Sequence, residues 1–117
     1  MAISKFRFKT AVFVMSTLLP GVVPSLFAQS KSSSAGESLF KSHCVMCHGS
    51  DGAGNTTMGK QLKAQNLHSK EVQKLTDTEI KNVILNGKGN MPPFDGQVSS
   101  DEAGQIAHYV HSLSKMK

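Results

Sequence analysis

Cys44-Val45-Met46-Cys47-His48 decides how the rest of this chain is read. A disulfide between cysteines three residues apart would close a tiny loop, and the entropic stabilisation of a disulfide grows with loop length. A structural disulfide therefore explains the pair poorly. C-x-x-C followed at once by His is instead the signature for covalent attachment of c-type haem. Two thiols on one helical turn reach the two vinyl groups of one porphyrin edge, and the adjacent imidazole faces the iron as an axial ligand. The cofactor expected is one haem c, held by Cys44 and Cys47, with His48 on the iron. Thiol redox chemistry and zinc are the alternatives. The first calls for a strand before the motif, and none is readable here. The second calls for four ligands at suitable spacing, and His108 and His111 lie about sixty residues further on.

The second axial position separates an electron carrier from a haem catalyst. A Met thioether fills the sixth site and raises the iron potential, which favours electron transfer over ligand binding. Met46 lies inside the attachment loop, Met116 at the terminus, and Met58 in a loop without stiffening residues. Met91 stands in Gly87-Lys88-Gly89-Asn90-Met91-Pro92-Pro93-Phe94. Pro92 biases Met91 toward extended backbone, and glycine permits close approach to a porphyrin. Met91 is thus the expected second iron ligand, with a simple core-filling role as its alternative.

Outside this centre the chain is small and plain. Of 117 residues, the first 28 combine Lys5, Arg7 and Lys9 with an apolar stretch from Ala11 to Val23 and a small residue, Ala28, before a polar run. That pattern reads as a secretory signal peptide, residues 1–28, and places the mature chain in the periplasm. The apolar stretch falls short of the roughly 20 residues of a bilayer span, although an uncleaved anchor is the alternative. The 13 basic residues include the three of the leader, so ten lysines face eight acidic residues in the remainder. This balance gives no argument for nucleic acid. Phe40, Phe94 and Tyr109 are the aromatics left after the leader. A domain so short and so poor in large apolar side chains is near the limit of what a core alone stabilises, which independently suggests a buried cofactor.

The remaining pattern predicts an all-α fold of three to four short helices around one covalently bound haem. Residues 29–34 read as a Ser-rich linker and 35–117 as the domain. A first helix is expected from Ala35 to about Cys44, and a short one from Ser69 to Leu75. From Gly49 to Asn66 the sequence reads as a long loop. Thr76-Asp77-Thr78-Glu79 and Ser99-Ser100-Asp101-Glu102 fit capping boxes. The first opens a helix bearing Ile80, Val83 and Ile84 that ends at Gly87. The second opens one with Ala103, Ile106, Ala107, Val110 and Leu113 on a helical stripe. No alternating run argues for a strand.

From Gly36 to Leu113 the chain resembles the small bacterial class I mono-haem cytochromes c. The resemblance rests on Gly36 and Phe40 before Cys44-Val45-Met46-Cys47-His48-Gly49, on Asn-Met-Pro-Pro-Phe at 90–94, and on Tyr109-Val110 in the last helix. It implies that the first and last helices cross, with Gly36 allowing close approach and Phe40 and Tyr109 packing there. It also implies a monomeric, soluble carrier of single electrons between redox partner proteins, a reductase and an oxidase, and not an enzyme. A small haem peroxidase and a subunit of a larger oxidase or dehydrogenase complex are the competing readings. The sequence departs from the family at Ala64-Gln65-Asn66-Leu67, where a proline carbonyl commonly accepts from the iron-ligating His, so that acceptor is left unassigned. His43, His68, His108 and His111 read as ordinary surface residues, with His43 an alternative ligand. Six lysines between 60 and 88 are either a docking ring for an acidic partner or ordinary solvated surface.

Overall fold

The computed structural model describes residues 27–116, with side chains from residue 33 onward. The expected signal peptide lies outside the described residues except for Phe27 and Ala28. Among the described residues six helices follow one another: α1 (Phe27–His43), α2 (Val45–His48), α3 (Thr57–Leu62), α4 (Lys70–Gln73), α5 (Asp77–Asn86) and α6 (Ser100–Leu113). Among the described residues there is no strand, only isolated bridges at Lys88–Met91 and Asp95–Val98. The all-α expectation holds. The count of three to four helices is exceeded because the Gly49–Asn66 stretch contains α3 and the attachment motif forms its own turn, α2.

α1 begins earlier than the expected Ala35 and includes the run 29–34. Nothing between Phe27 and Ala35 is Gly or Pro, so no residue there breaks the backbone pattern. Serine hydroxyls turn back onto the helix further on: Ser38 donates to the Ser34 carbonyl at 3.1 Å and Ser42 to that of Ser38 at 3.0 Å.

Both capping boxes form. Thr76 and Ser99 each accept from the backbone N–H three residues on, while Glu79 and Glu102 accept from the cap residues' own N–H groups. Gly87 ends α5 at φ +73°, a conformation that favours glycine.

α1 and α5 pack against α6. Phe40, Ile106 and Leu113 are fully enclosed, and Ile80, Ile84, Ala103, Ala107, Tyr109 and Val110 complete the centre of the core. Where α1 crosses α6, a Cβ on Gly36 would run into the carbonyl oxygen of Gln105 and stand 3.0 Å from Tyr109 Cβ. Only glycine lets the helices come this close. The Phe40 and Tyr109 rings then meet at 5.3 Å between centroids, tilted by 52°, a favourable aromatic geometry. The expected roles of Gly36, Phe40 and Tyr109 are therefore observed.

Candidate haem attachment site

The attachment motif continues the path of α1 through one further turn. Cys44 N–H donates to the Phe40 carbonyl at 2.8 Å, and the Cys44 carbonyl accepts from Cys47 at 3.2 Å and His48 at 2.9 Å. Both cysteines are free thiols, half-buried, on a single helical turn. Gly49 at φ +78° then lets the chain leave. The carbonyls of the turn are held from outside it. Thr56 Oγ1 lies 2.7 Å from the Met46 oxygen and 2.9 Å from that of Cys47, and it accepts from Gly59 N–H at 2.8 Å. A Cβ on Gly59 would collide with the Cys47 carbonyl, so α3 lies directly against the motif. The His48 carbonyl accepts from Gly54 at 2.7 Å.

His48 is oriented by a group the sequence reading could not assign. Its Nδ1 lies 3.1 Å from the carbonyl oxygen of Gln65. A carbonyl only accepts, so Nδ1 carries the proton and Nε2 keeps its lone pair for a metal. Gln65 fills the place of the missing proline because the contact is made by main chain, and its strand of loop is braced on both sides. Ala64 donates to Gly59 at 2.8 Å and Leu67 to Gly52 at 2.8 Å. Burial lowers the His48 pKa, with the Gln65 bond pulling the other way, a net shift toward the neutral imidazole that ligation requires.

The thiols argue against redox exchange. Burial, aided by the neighbouring Cys47, pushes the Cys44 thiol up to about 12. A disulfide-exchanging cysteine needs the opposite shift. No group of three or more His, Cys, Asp or Glu among the described residues is arranged to hold a metal ion. The other histidines are engaged elsewhere. His43 stands edge-on to Phe94 at 6.5 Å, His68 Nε2 meets the Asp51 carbonyl, and His108 and His111 flank the Asp77 carboxylate at 3.6 and 3.1 Å.

Met91 differs from the other methionines. Met46, Met58 and Met116 are exposed, whereas Met91 is half-buried against the core. Lys88 and Met91 exchange backbone hydrogen bonds of 3.1 and 3.0 Å, and Phe94 and Asp95 donate back to Ile84 and Leu85 at the end of α5. Gly87 is needed for this packing: a Cβ there would come 2.6 Å from the Met91 oxygen and 2.9 Å from Pro93 N.

The residues fit a porphyrin. Leu39, Cys44, Val45, Val72, Leu75, Leu85, Met91 and Phe94 pack on the core yet stay partly uncovered, apolar surface of the kind a porphyrin would cover. Among the described residues no buried side-chain polar atom lacks a partner, so this surface demands nothing polar of what covers it.

Comparison with known proteins agrees. A family described as "Cytochrome C oxidase, cbb3-type, subunit III" matches residues 32–110. Cytochrome c6 of Leptolyngbya boryana is 38% identical over 76 residues, 65% of this chain and 86% of the relative. The cbb3-type cytochrome c oxidase subunit CcoP of Rubrivivax gelatinosus is 37% identical over 81 residues, 68% of this chain but 25% of that subunit. Among solved structures, the KustC0563 c-type cytochrome superposes with a TM-score of 0.60 at 31% identity, covering 67% of this chain and 95% of that one. The chain belongs to the c-type cytochromes, as a small class I mono-haem member.

Proposed function

We propose that this protein is an exported one-electron carrier working between a reductase and an oxidase in the periplasm. Cys44 and Cys47 would hold one haem c by thioether bonds, and His48 Nε2 and the Met91 sulfur would ligate its iron. The bound haem would supply the ferric/ferrous couple. The observation that carries the reading is the His48–Gln65 hydrogen bond, which fixes the tautomer that leaves Nε2 for iron. The chain's residues do the rest. Thr56, Gly59 and Gly54 hold the attachment turn still, and the Gly87–Phe94 loop presents a half-buried thioether. A sixth site filled by the protein favours carrying electrons over activating small ligands, which sets this reading against a peroxidase.

No helix among the described residues is long and apolar enough to cross a membrane. The leader pattern of residues 1–28 supports export, and the near-full-length match to cytochrome c6 supports a free monomeric carrier. The partial match to CcoP supports a second reading, a module working within an oxidase, which co-purification of such a complex would reveal.

The test is intact mass and spectroscopy of the exported protein. Residues 29–117 should carry the mass of one haem, and Cys44→Ala with Cys47→Ala should abolish it. Met91→Ala should keep the haem attached, remove the ferric Met–iron charge-transfer band and lower the potential. Survival of the band in Met91→Ala would show that another group fills the sixth site.

A further inference from the structure

The expected sixth ligand sits in a turn whose tip has little support of its own. Lys88 and Met91 exchange backbone hydrogen bonds, leaving Gly89 and Asn90 at the corner. Gly89 has φ +59°, and a Cβ there would find nothing within 4 Å, so the tip stands clear of the body. Among the described residues, the hydrogen bond that ties this tip to another element is made by one side chain. Asn90 Nδ2 donates to the Leu62 carbonyl at 3.1 Å across 28 residues of sequence.

The Leu62 carbonyl is one of the last in α3, a position where a helix leaves acceptors unpartnered. α3 is itself locked to the attachment turn, through Gly59 against the Cys47 carbonyl and through Thr56 on Met46 and Cys47. Three residues beyond Leu62, the Gln65 carbonyl holds His48. One short segment, 56–65, therefore braces the histidine directly and reaches the methionine loop through Asn90.

We propose that Asn90 is a positioning residue for the sixth ligand: its amide clasps the Met91 turn to the end of α3 and thereby sets how often the thioether yields its site. The proposal rests on the reading of Met91 as ligand. Breaking the clasp should shift the turn toward open conformations without touching haem attachment, since Cys44, Cys47 and His48 are held by other bonds.

The experiment uses the haem-loaded protein with Asn90→Ala and Asn90→Asp. The first deletes the donor; the second keeps the shape but sets a carboxylate against a carbonyl. Imidazole competes with Met91 for ferric iron, so its affinity reports the open fraction of the turn. A net contribution near that of one solvent-facing hydrogen bond predicts a rise of roughly two- to fivefold for Asn90→Ala, and more for Asn90→Asp. The Met91 amide, bonded to Lys88, should exchange faster by the same order, a readout independent of iron ligation. Asn82→Asp makes the same charge change at an exposed position of α5 and should alter neither quantity. Unchanged imidazole affinity and unchanged exchange in both Asn90 variants would overturn the positioning role, as would equal effects in Asn82→Asp. Absence of the Met–iron band in the unmodified protein would overturn the Met91 reading itself, and the positioning role with it.

Discussion

Replacing Gly36 and Gly104 by alanine, one at a time, should move stability in opposite directions. Both glycines lie in long helices, where alanine is intrinsically better by about 1 kcal/mol. At Gly104 the nearest atom to a new Cβ is Lys81 Cδ at 4.0 Å, so the propensity gain should appear almost undiminished. At Gly36 the new Cβ would overlap the Gln105 carbonyl oxygen and stand 3.0 Å from both Gln105 C and Tyr109 Cβ. Two of these three atoms are backbone inside α6 and cannot rotate away. The helices must separate, and a gap of even 0.5–1 Å forfeits a quarter to a half of each contact's dispersion energy. Overpacking of this kind costs about 1–3 kcal/mol, and a clash against main chain belongs at the upper end. Subtracting the propensity gain leaves a net loss of about 2 kcal/mol for Gly36→Ala. In a domain of this size that is a fall of roughly 8–16 °C in Tm, against a rise of roughly 4–8 °C for Gly104→Ala. Thermal unfolding of the holoprotein followed by circular dichroism measures both. A Gly36→Ala protein at least as stable as the unmodified one would mean that the α1–α6 crossing is looser than the structure has it.

Gln73 spans two segments, donating to the Leu67 carbonyl at 2.7 Å and to Val110, near the end of α6, at 3.1 Å. Gln73→Glu turns both donors into acceptors and should destabilise by about 2 kcal/mol, one for each half-buried carbonyl left unpaired; guanidinium unfolding reads it, and a loss below a few tenths would show that water replaces the amide freely. Stability should also fall in acid. Glu79 and Glu102 are held below the ordinary glutamate value of 4.5, first by the backbone N–H groups of Thr76 and Ser99 and then by those residues' hydroxyls. Carboxylates with depressed folded-state pKa values contribute stability that is present above the unfolded value and is lost as pH falls through the folded one. Glu79→Gln with Glu102→Gln should therefore flatten the acid limb below about pH 4.5, and an unchanged limb would assign acid unfolding to other groups.

What was legible in the sequence is what local chemistry determines. C-x-x-C-H announces a cofactor because its chemistry is contained in five consecutive residues. Thr76 and Ser99 announce helix starts because a capping box closes within one turn. The α6 stripe was readable because six of its residues are buried at helical spacing. α3 was not, since it buries only Gly59 and offers no apolar period. Its helix depends on the Thr56 cap and on a close approach to Cys47 that requires a residue helix propensity disfavours. The Gln65 contact was illegible for a different reason. A main-chain carbonyl can be supplied by any residue, so neither proline nor its absence in 64–67 decides where the acceptor falls. Pairing of His108 and His111 with Asp77 depends on how α5 meets α6, which single-chain periodicity does not encode.

The molecule divides its labour unevenly. The core is concentrated where α1, α5 and α6 meet, whereas α2 and α4 bury no residue and α3 buries one glycine. The proposed iron ligands lie on this weaker part, His48 on α2 and Met91 in the Gly87–Phe94 loop. These segments are held mainly by single hydrogen bonds to carbonyls: Thr56 on Met46 and Cys47, His48 on Gln65, Asn90 on Leu62, Gln73 on Leu67 and Val110. Each such bond is worth about 1 kcal/mol, too little to order a segment alone. The half-covered Leu39, Val45, Val72, Leu75, Leu85, Met91 and Phe94 supply the missing term, because covering them with an apolar macrocycle adds about 25 cal/mol for each Å² removed from water. Under the proposed function the haem thus completes the weaker half of the fold. Covalent attachment through Cys44 and Cys47 then has a physical purpose beyond retention. Under that proposal the thioether bonds would keep the group that orders the loops in place even when the Met91 turn is open.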